Sequence, residues 1–140
     1  MIITDVEFCN KTNGKPWVNR ACGPSSYDCW GLVIASFKEI EGITMPEIAS
    51  YLDYSPTSGA GNDGINIVKT EISTGGHGDI MLMFDDSGNF QHVGRVFYGS
   101  VLHAWGHSDD GTGEVKFDRI SLLKRLYKNK VEFRRYAYHC

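Results

Sequence analysis

The sequence predicts an α+β fold on three observations. An apolar pattern with helical period runs from Asp28 to about residue 41. Beyond Gly78-Asp79 the period shifts to short apolar runs of the kind that form strands. Tight turns separate those runs, and tight turns join antiparallel neighbours. A chain of 140 residues suits a single domain with its own core. No repeat, low-complexity tract or long linker divides residues 1–140.

Each element follows in order. The first 24 residues read as a short strand or helix, then a loop broken by Gly14, Pro16, Gly23 and Pro24. Asp28 offers an N-cap and Gly42 a stop for the helix. Between them Cys29, Leu32, Val33, Phe37 and Ile40 fall on one face, as in an amphipathic helix. Residues 46 to 54 read as a second short helix, and 56 to 64, rich in Gly, Ser and Asn, as a surface loop. Residues 80 to 84 (IMLMF) read as a central strand, closed by a turn over 85–89. A hairpin of 92–98 and 101–105 follows. A polar loop over 108–114 then leads to Val115-Lys116-Phe117, a helix over about 118–128, and a last strand over 131–138.

Composition excludes several function classes. The formal charge is −3, so no global positive field points to nucleic acid. Lys124, Arg125, Lys128, Lys130, Arg134 and Arg135 gather late in the chain and read as a solvated helix face and strand edges. No apolar run approaches the ~18 residues that a membrane span requires. The opening stretch, MIITDVEFCNKTNGK, is acidic early and lacks an apolar segment, so it does not read as a secretion signal. Cys9, Cys22, Cys29 and Cys140 show no metal-ligand spacing and are expected as free thiols, with neither metal nor cofactor.

Cys29 stands where the helix should begin. There the unpaired backbone N–H groups and the macrodipole favour a thiolate. A thiol nucleophile also needs a base within hydrogen-bond reach and a third group to orient that base. The candidates are His77, His92, His103, His107 and His139. Strand alternation sets His92, Gly94 and Val96 on one face and Val93, Arg95 and Phe97 on the other. Gly94 would give the Cys29 helix room to approach.

The hairpin register is open. With Tyr98-Gly99 as the turn, Gly94 faces His103, and His103 lies diagonal to His92, about 7–8 Å away at the backbone. With Gly99-Ser100, which suits a type II′ turn, His92 faces His107 instead. Both registers keep the three histidines on one face. His103 is preferred as the third residue, with His107 as its rival. Plain readings stand beside these: Cys29 as a small buried apolar residue, Trp30 and Trp105 as packing, Asp28 as a cap, His77 as a turn residue and His139 as a C-terminal one.

Four stretches, GKPWVNRACGPSSYDCWGLV, GDIMLMF, HVGRV and LHAWG, occur in that order over residues 14–106. Together they resemble the motifs of the NlpC/P60 cysteine peptidases. The resemblance implies a papain-like α+β fold, with a nucleophilic cysteine at a helix N-terminus packed on an antiparallel sheet. By position Cys29 takes the nucleophile's place, His92 the general base's and His103 that of the orienting residue. Trp17 stands where the family places an aromatic of the oxyanion site, usually tyrosine. An indole N–H can donate there but has no hydroxyl to accept or relay. The backbone N–H of Cys29 would be the other donor. Asp28 and Trp30, on either side of Cys29, take oxyanion or substrate-binding positions.

Trp30 departs from the serine that most cell-wall members carry. The DCWGL form, the small size and the lack of a wall-binding repeat look more like the phage-type branch. That resemblance implies a cysteine endopeptidase of the phage tail, made in the host cytoplasm. It would act in the cell wall or periplasm, with other tail proteins as partners. Its substrate would be the peptidoglycan stem peptide, at the D-γ-glutamyl to diamino acid bond by analogy. The alternatives are a structural tail-tip component with little or no activity, and a bacterial enzyme of the same fold acting on another amide or ester.

Overall fold

The computed structural model describes residues 2–45, 70–107 and 112–136. The expected helix over 46–54, the expected loop over 56–64 and His139 lie outside them.

Helix α1 (Asp5–Thr12) opens on a capping box, in which the Thr4 side chain accepts from the Glu7 N–H and the Glu7 carboxylate accepts from the Thr4 N–H. It buries Phe8 and Thr12. Helix α2 (Cys29–Ser36) starts at Asp28, whose Oδ1 accepts from the Gly31 N–H at 2.6 Å. It continues as a π-helical turn, Phe37–Glu41, and stops at Gly42 with φ 71°. The span matches the one that Asp28 and Gly42 predict.

The surroundings of α2 differ from the amphipathic expectation. Cys29, Trp30, Gly31, Leu32, Val33, Ala35 and Ser36 are all buried. Val33 packs with Ile80, Leu82 and Val93 of the sheet, while Leu32 and Ala35 pack with Phe8, Trp17 and Tyr27. The helix is therefore enclosed between sheet and N-terminal segment, and both sides must be apolar. Gly31 allows the enclosure, because a Cβ there would meet the Ala21 carbonyl oxygen at 2.0 Å.

Among the described residues six strands form one sheet: β1 (Thr70–Ser73), β2 (Ile80–Phe84), β3 (Phe90–Phe97), β4 (Ser100–His107), β5 (Thr112–Arg119) and β6 (Val131–Tyr136). Their order is β1-β6-β2-β3-β4-β5, with every described pairing antiparallel. Helix α3 (Ile120–Leu126) covers the face opposite α2, where Leu123 packs with Met81, Met83, Val96 and Val101. The expected loop over 108–114 and helix from 118 need correction. Strand β5 begins at Thr112 and pairs with β4 as far as Arg119, so the helix starts only at Ile120. A complete ladder with β4 outcompetes one additional helical turn.

The β3–β4 register is settled by the pairs Arg95↔Leu102, Val96↔Val101 and Phe97↔Ser100. Tyr98 and Gly99 form the turn, both with positive φ (54° and 77°), as the I′ class requires. The strain at Tyr98 is offset by three contacts. Its N–H donates to His77 Nδ1 (3.0 Å), its hydroxyl to Asp5 Oδ1 (2.8 Å), and its ring lies 4.5 Å from that of His77. His77 is thus more than a turn residue, since its Nε2 also reaches Asp5 Oδ2 at 2.7 Å and ties α1 to the hairpin.

Arg95 fastens the sheet to the π-helical turn. Its guanidinium pairs with both Glu41 oxygens (2.9 and 2.7 Å), donates to Ser36 Oγ at 3.2 Å and lies 3.7 Å over the Phe37 ring. Among the described residues no helix is long and apolar enough to cross a membrane.

Candidate active site

Cys29 is the first residue of α2 and is buried, in a cluster with Trp30, Val33, Phe90 and Val93. Phe90 and Val93, which flank His92 in β3, belong to the same cluster. Tyr127, just beyond α3, borders the same place. Burial, and then the charge of Cys29, push its phenol up to about 12.

His92 Nε2 lies 2.7 Å from His103 Nδ1, and both rings are buried. His103 Nε2 lies 2.8 Å from Asp118 Oδ2 on β5. Trp105 packs against both imidazoles, with centroids 5.9 and 5.5 Å away. Lys116 Nζ stands 4.9 Å over the Trp105 ring and 4.0 Å from Asp118 Oδ2. Burial holds the His92 imidazole well below its ordinary proton affinity, and the charges of His103 and Lys116 act the same way. Burial also lowers His103, against a partial pull upward from Asp118. A neutral His92 with one lone pair to spare is chemically a base.

The two histidines share a face with Gly94, as alternation requires, but the role expected of Gly94 is corrected. A Cβ at Gly94 would meet Val101 Cγ1 at 2.5 Å and His103 Cβ at 3.0 Å. The glycine therefore admits β4, and with it His103. Helix α2 covers the other face of β3, through Val93 and Arg95. His107 is at the far end of β4, with its backbone opposite Thr112. The register thus gives His103, rather than His107, to His92.

The flanking site candidates are placed as follows. Both Asp28 oxygens are engaged, Oδ1 by the Gly31 N–H and Oδ2 by the Arg20 N–H at 3.0 Å. Burial raises its carboxyl to about 6, against those two bonds. Trp30 is buried in the core cluster around α2. Trp17 is buried beside Phe8, Tyr27 and Leu32, with its ring against Gly106, where a Cβ would meet its Cγ at 2.3 Å. The remaining described thiols differ from Cys29 in setting: Cys9 is pushed up to about 11, chiefly by burial, and Cys22 is exposed.

Sequence reasoning missed Asp118, which it placed at a helix start. It also gave Lys116 and Tyr127 no part at the site. One available signal was the alternation of Lys116 and Asp118, two residues apart on a strand that can face His103.

The fold is a small α+β arrangement of the NlpC/P60 type. Solved NlpC/P60 domains share the fold. The NlpC/P60 domain of the peptidoglycan hydrolase SagA matches with a TM-score of 0.58 and 17% identity, over 95% of each chain. An NLP/P60 family protein from Staphylococcus aureus, similar to a lipoprotein, matches with a TM-score of 0.66 and 18% identity, over 99% of this chain and 44% of its own. NlpC1 from Trichomonas vaginalis matches with a TM-score of 0.60 and 24% identity, over 95% and 43%. The chain thus spans less than half the length of the latter two. No family model and no curated protein matches the sequence.

Proposed function

We propose that the chain is a cysteine endopeptidase of the NlpC/P60 type that cleaves peptidoglycan stem peptides. The observation that carries this reading is the 2.7 Å contact between His92 and His103, on the strand against which the helix headed by Cys29 packs. A surface histidine pair would be solvated. This one is buried, which disfavours the charged form of His92, and Cys29 at the start of α2 is the thiol it would serve.

The chemistry is acyl transfer. His92 takes the thiol proton as the Cys29 sulfur attacks the amide carbonyl carbon. The oxyanion that forms is held near the helix start, with the Cys29 N–H and the Trp17 indole as candidate donors and Asp28 and Trp30 beside them. The C–N bond breaks, and the amine leaves with the proton from His92. Water then attacks the thioester as His92 takes its proton, the C–S bond breaks, and the sulfur regains the proton.

The finer reading adds a place and a bond. The D-γ-glutamyl to diamino acid linkage is the proposed bond, and a phage tail the proposed location, with other tail proteins as partners. DCWGL in place of the usual serine form supports that assignment.

Purified protein incubated with muropeptides, beside Cys29→Ala and His92→Ala, with products read by mass spectrometry, tests the reading. Cleavage that both substitutions abolish supports it, and the fragment masses identify the bond. No cleavage, with a Cys29 thiol no more alkylation-prone at neutral pH than Cys9, overturns it in favour of a structural tail component.

A further inference from the structure

We infer that Asp118 is a positioning residue of this site. Acting through His103, it fixes which nitrogen of His92 carries the proton and so leaves His92 Nδ1 as the base for Cys29. The inference rests on the peptidase reading for its kinetic consequence, but not for its geometry.

A neutral imidazole has one N–H and one lone pair. A carboxylate can only accept, so the 2.8 Å contact to Asp118 Oδ2 places the His103 proton on Nε2. His103 Nδ1 is then an acceptor, and across 2.7 Å His92 Nε2 must donate to it. That leaves the His92 lone pair on Nδ1, the nitrogen turned away from His103. Reverse the proton on His103 and the row reverses with it: His92 would hold its proton on Nδ1 and could take none from a thiol.

Asp118 is the one group in the row that cannot reverse, which makes it the anchor. It is also the group placed to stabilise the imidazolium that forms during attack, at a distance of two rings. The charges that act on the pair come from the two rings themselves and from Asp118 and Lys116 of β5. Lys116 works against the imidazolium and is partly offset by Asp118, 4.0 Å away. A carboxylate serving only the ion pair with Lys116 would have no reason to make its shorter contact with a fully buried ring.

The test uses the whole protein with labelled histidines, as wild type, Asp118→Asn, Asp118→Leu and Asp118→Glu. Long-range proton–nitrogen spectra read the ring tautomers, and kcat/KM against pH reads the base. Wild type is expected to show His103 protonated on Nε2. Asp118→Leu, which removes acceptor and charge, is expected to mix the tautomers and lower kcat/KM by about 10- to 100-fold, as loss of a supporting partner commonly does. Asp118→Asn keeps an acceptor and loses the charge, so the tautomer should persist while the acid limb moves to lower pH. Asp118→Glu should recover part of the loss.

A wild-type His103 protonated on Nδ1, or an acid limb unmoved in Asp118→Asn, overturns the inference. Those two measurements suffice if Asp118→Leu does not fold. If wild type cleaves no muropeptide, the peptidase reading fails by itself. The spectra and the pH dependence of Cys29 alkylation then decide the role of Asp118.

Discussion

Gly94 on β3 lies against His103 on β4, so closely that an added methyl group would be 3.0 Å from His103 Cβ and 2.5 Å from Val101 Cγ1. Neither neighbour can yield cheaply, since both side chains are fully buried. Gly94→Ala is therefore expected to lower stability by about 1–3 kcal/mol, the usual range for overpacking. Activity measured well below the melting temperature should fall further than the unfolded fraction explains, because the added methyl pushes His103 away from His92. Denaturant unfolding beside single-turnover rates checks both parts.

The low proton affinity of His92 sets the acid side of the rate profile. The base must be neutral, and burial makes it neutral well below the ordinary value of 6.5. Activity is expected to persist as pH falls through about 6.5, the range where an exposed imidazole charges. Stability carries the matching sign. The unfolded chain binds a proton at His92 before the native state does, so this residue's contribution is intact above 6.5 and declines on acidification below it. An acid limb centred at or above 6.5 would contradict the burial seen here.

Asp28 titrates in the opposite sense. Its carboxyl is raised from 3.8 to about 6, so the native state keeps the proton longer than the unfolded chain. Stability then falls as pH rises from 3.8 to about 6, and the cost stands in full above that window. Asparagine keeps an acceptor for the Gly31 N–H and has no charge to bury, but it cannot also accept from the Arg20 N–H, a loss that is the same at every pH. Relative to wild type, Asp28→Asn should gain stability between acid and neutral pH, by up to roughly 3 kcal/mol at 1.36 kcal/mol per unit. Unfolding curves for both proteins on either side of the window measure it.

Glu41 is the sole carboxylate bonded to Arg95 among the described residues. Removing it in Glu41→Ala leaves a buried guanidinium without its counter-charge, which costs about 3–5 kcal/mol in comparable pairs. The loss should appear in thermal and denaturant unfolding. The tautomer of His92 should not change, because Arg95 points to the opposite face of β3. Exchange of the pair for apolar residues of similar volume is expected to be far milder.

Much of the α+β plan was legible because it is written locally. Asp28 and Gly42 bound a helix by capping chemistry alone, and alternation from His92 to Phe97 gave the faces of β3 without any tertiary knowledge. The pairing of His92 with His103 needed one fact more, the turn at Tyr98-Gly99. That turn depends on Asp5 and His77, which are distant in sequence. Asp118 was hidden for a similar reason. ISLLKRL is helical by composition, and only the ladder from β4 shows that the residues before it extend as strand. The α1 start was available but unread, since Thr4 and Glu7 have the capping-box spacing. The enclosure of α2 depends on what packs against it from elsewhere, which periodicity does not record.

Strand β6 fills the slot between β1 and β2, although β1 and β2 are near each other in the chain and β6 is made long after both. On the ribosome the β3–β4 hairpin can bring its two histidines together as soon as it emerges. The middle of the sheet has to wait. Until residues 131–136 are synthesised, β2 presents an open edge, and β1 has none of its partners from Tyr136 back to Phe133. Open edges recruit foreign strands. Translation that halts before Val131 would thus release a polypeptide with its histidine pair assembled and its sheet unfinished, a product suited to aggregation or quality control rather than to work.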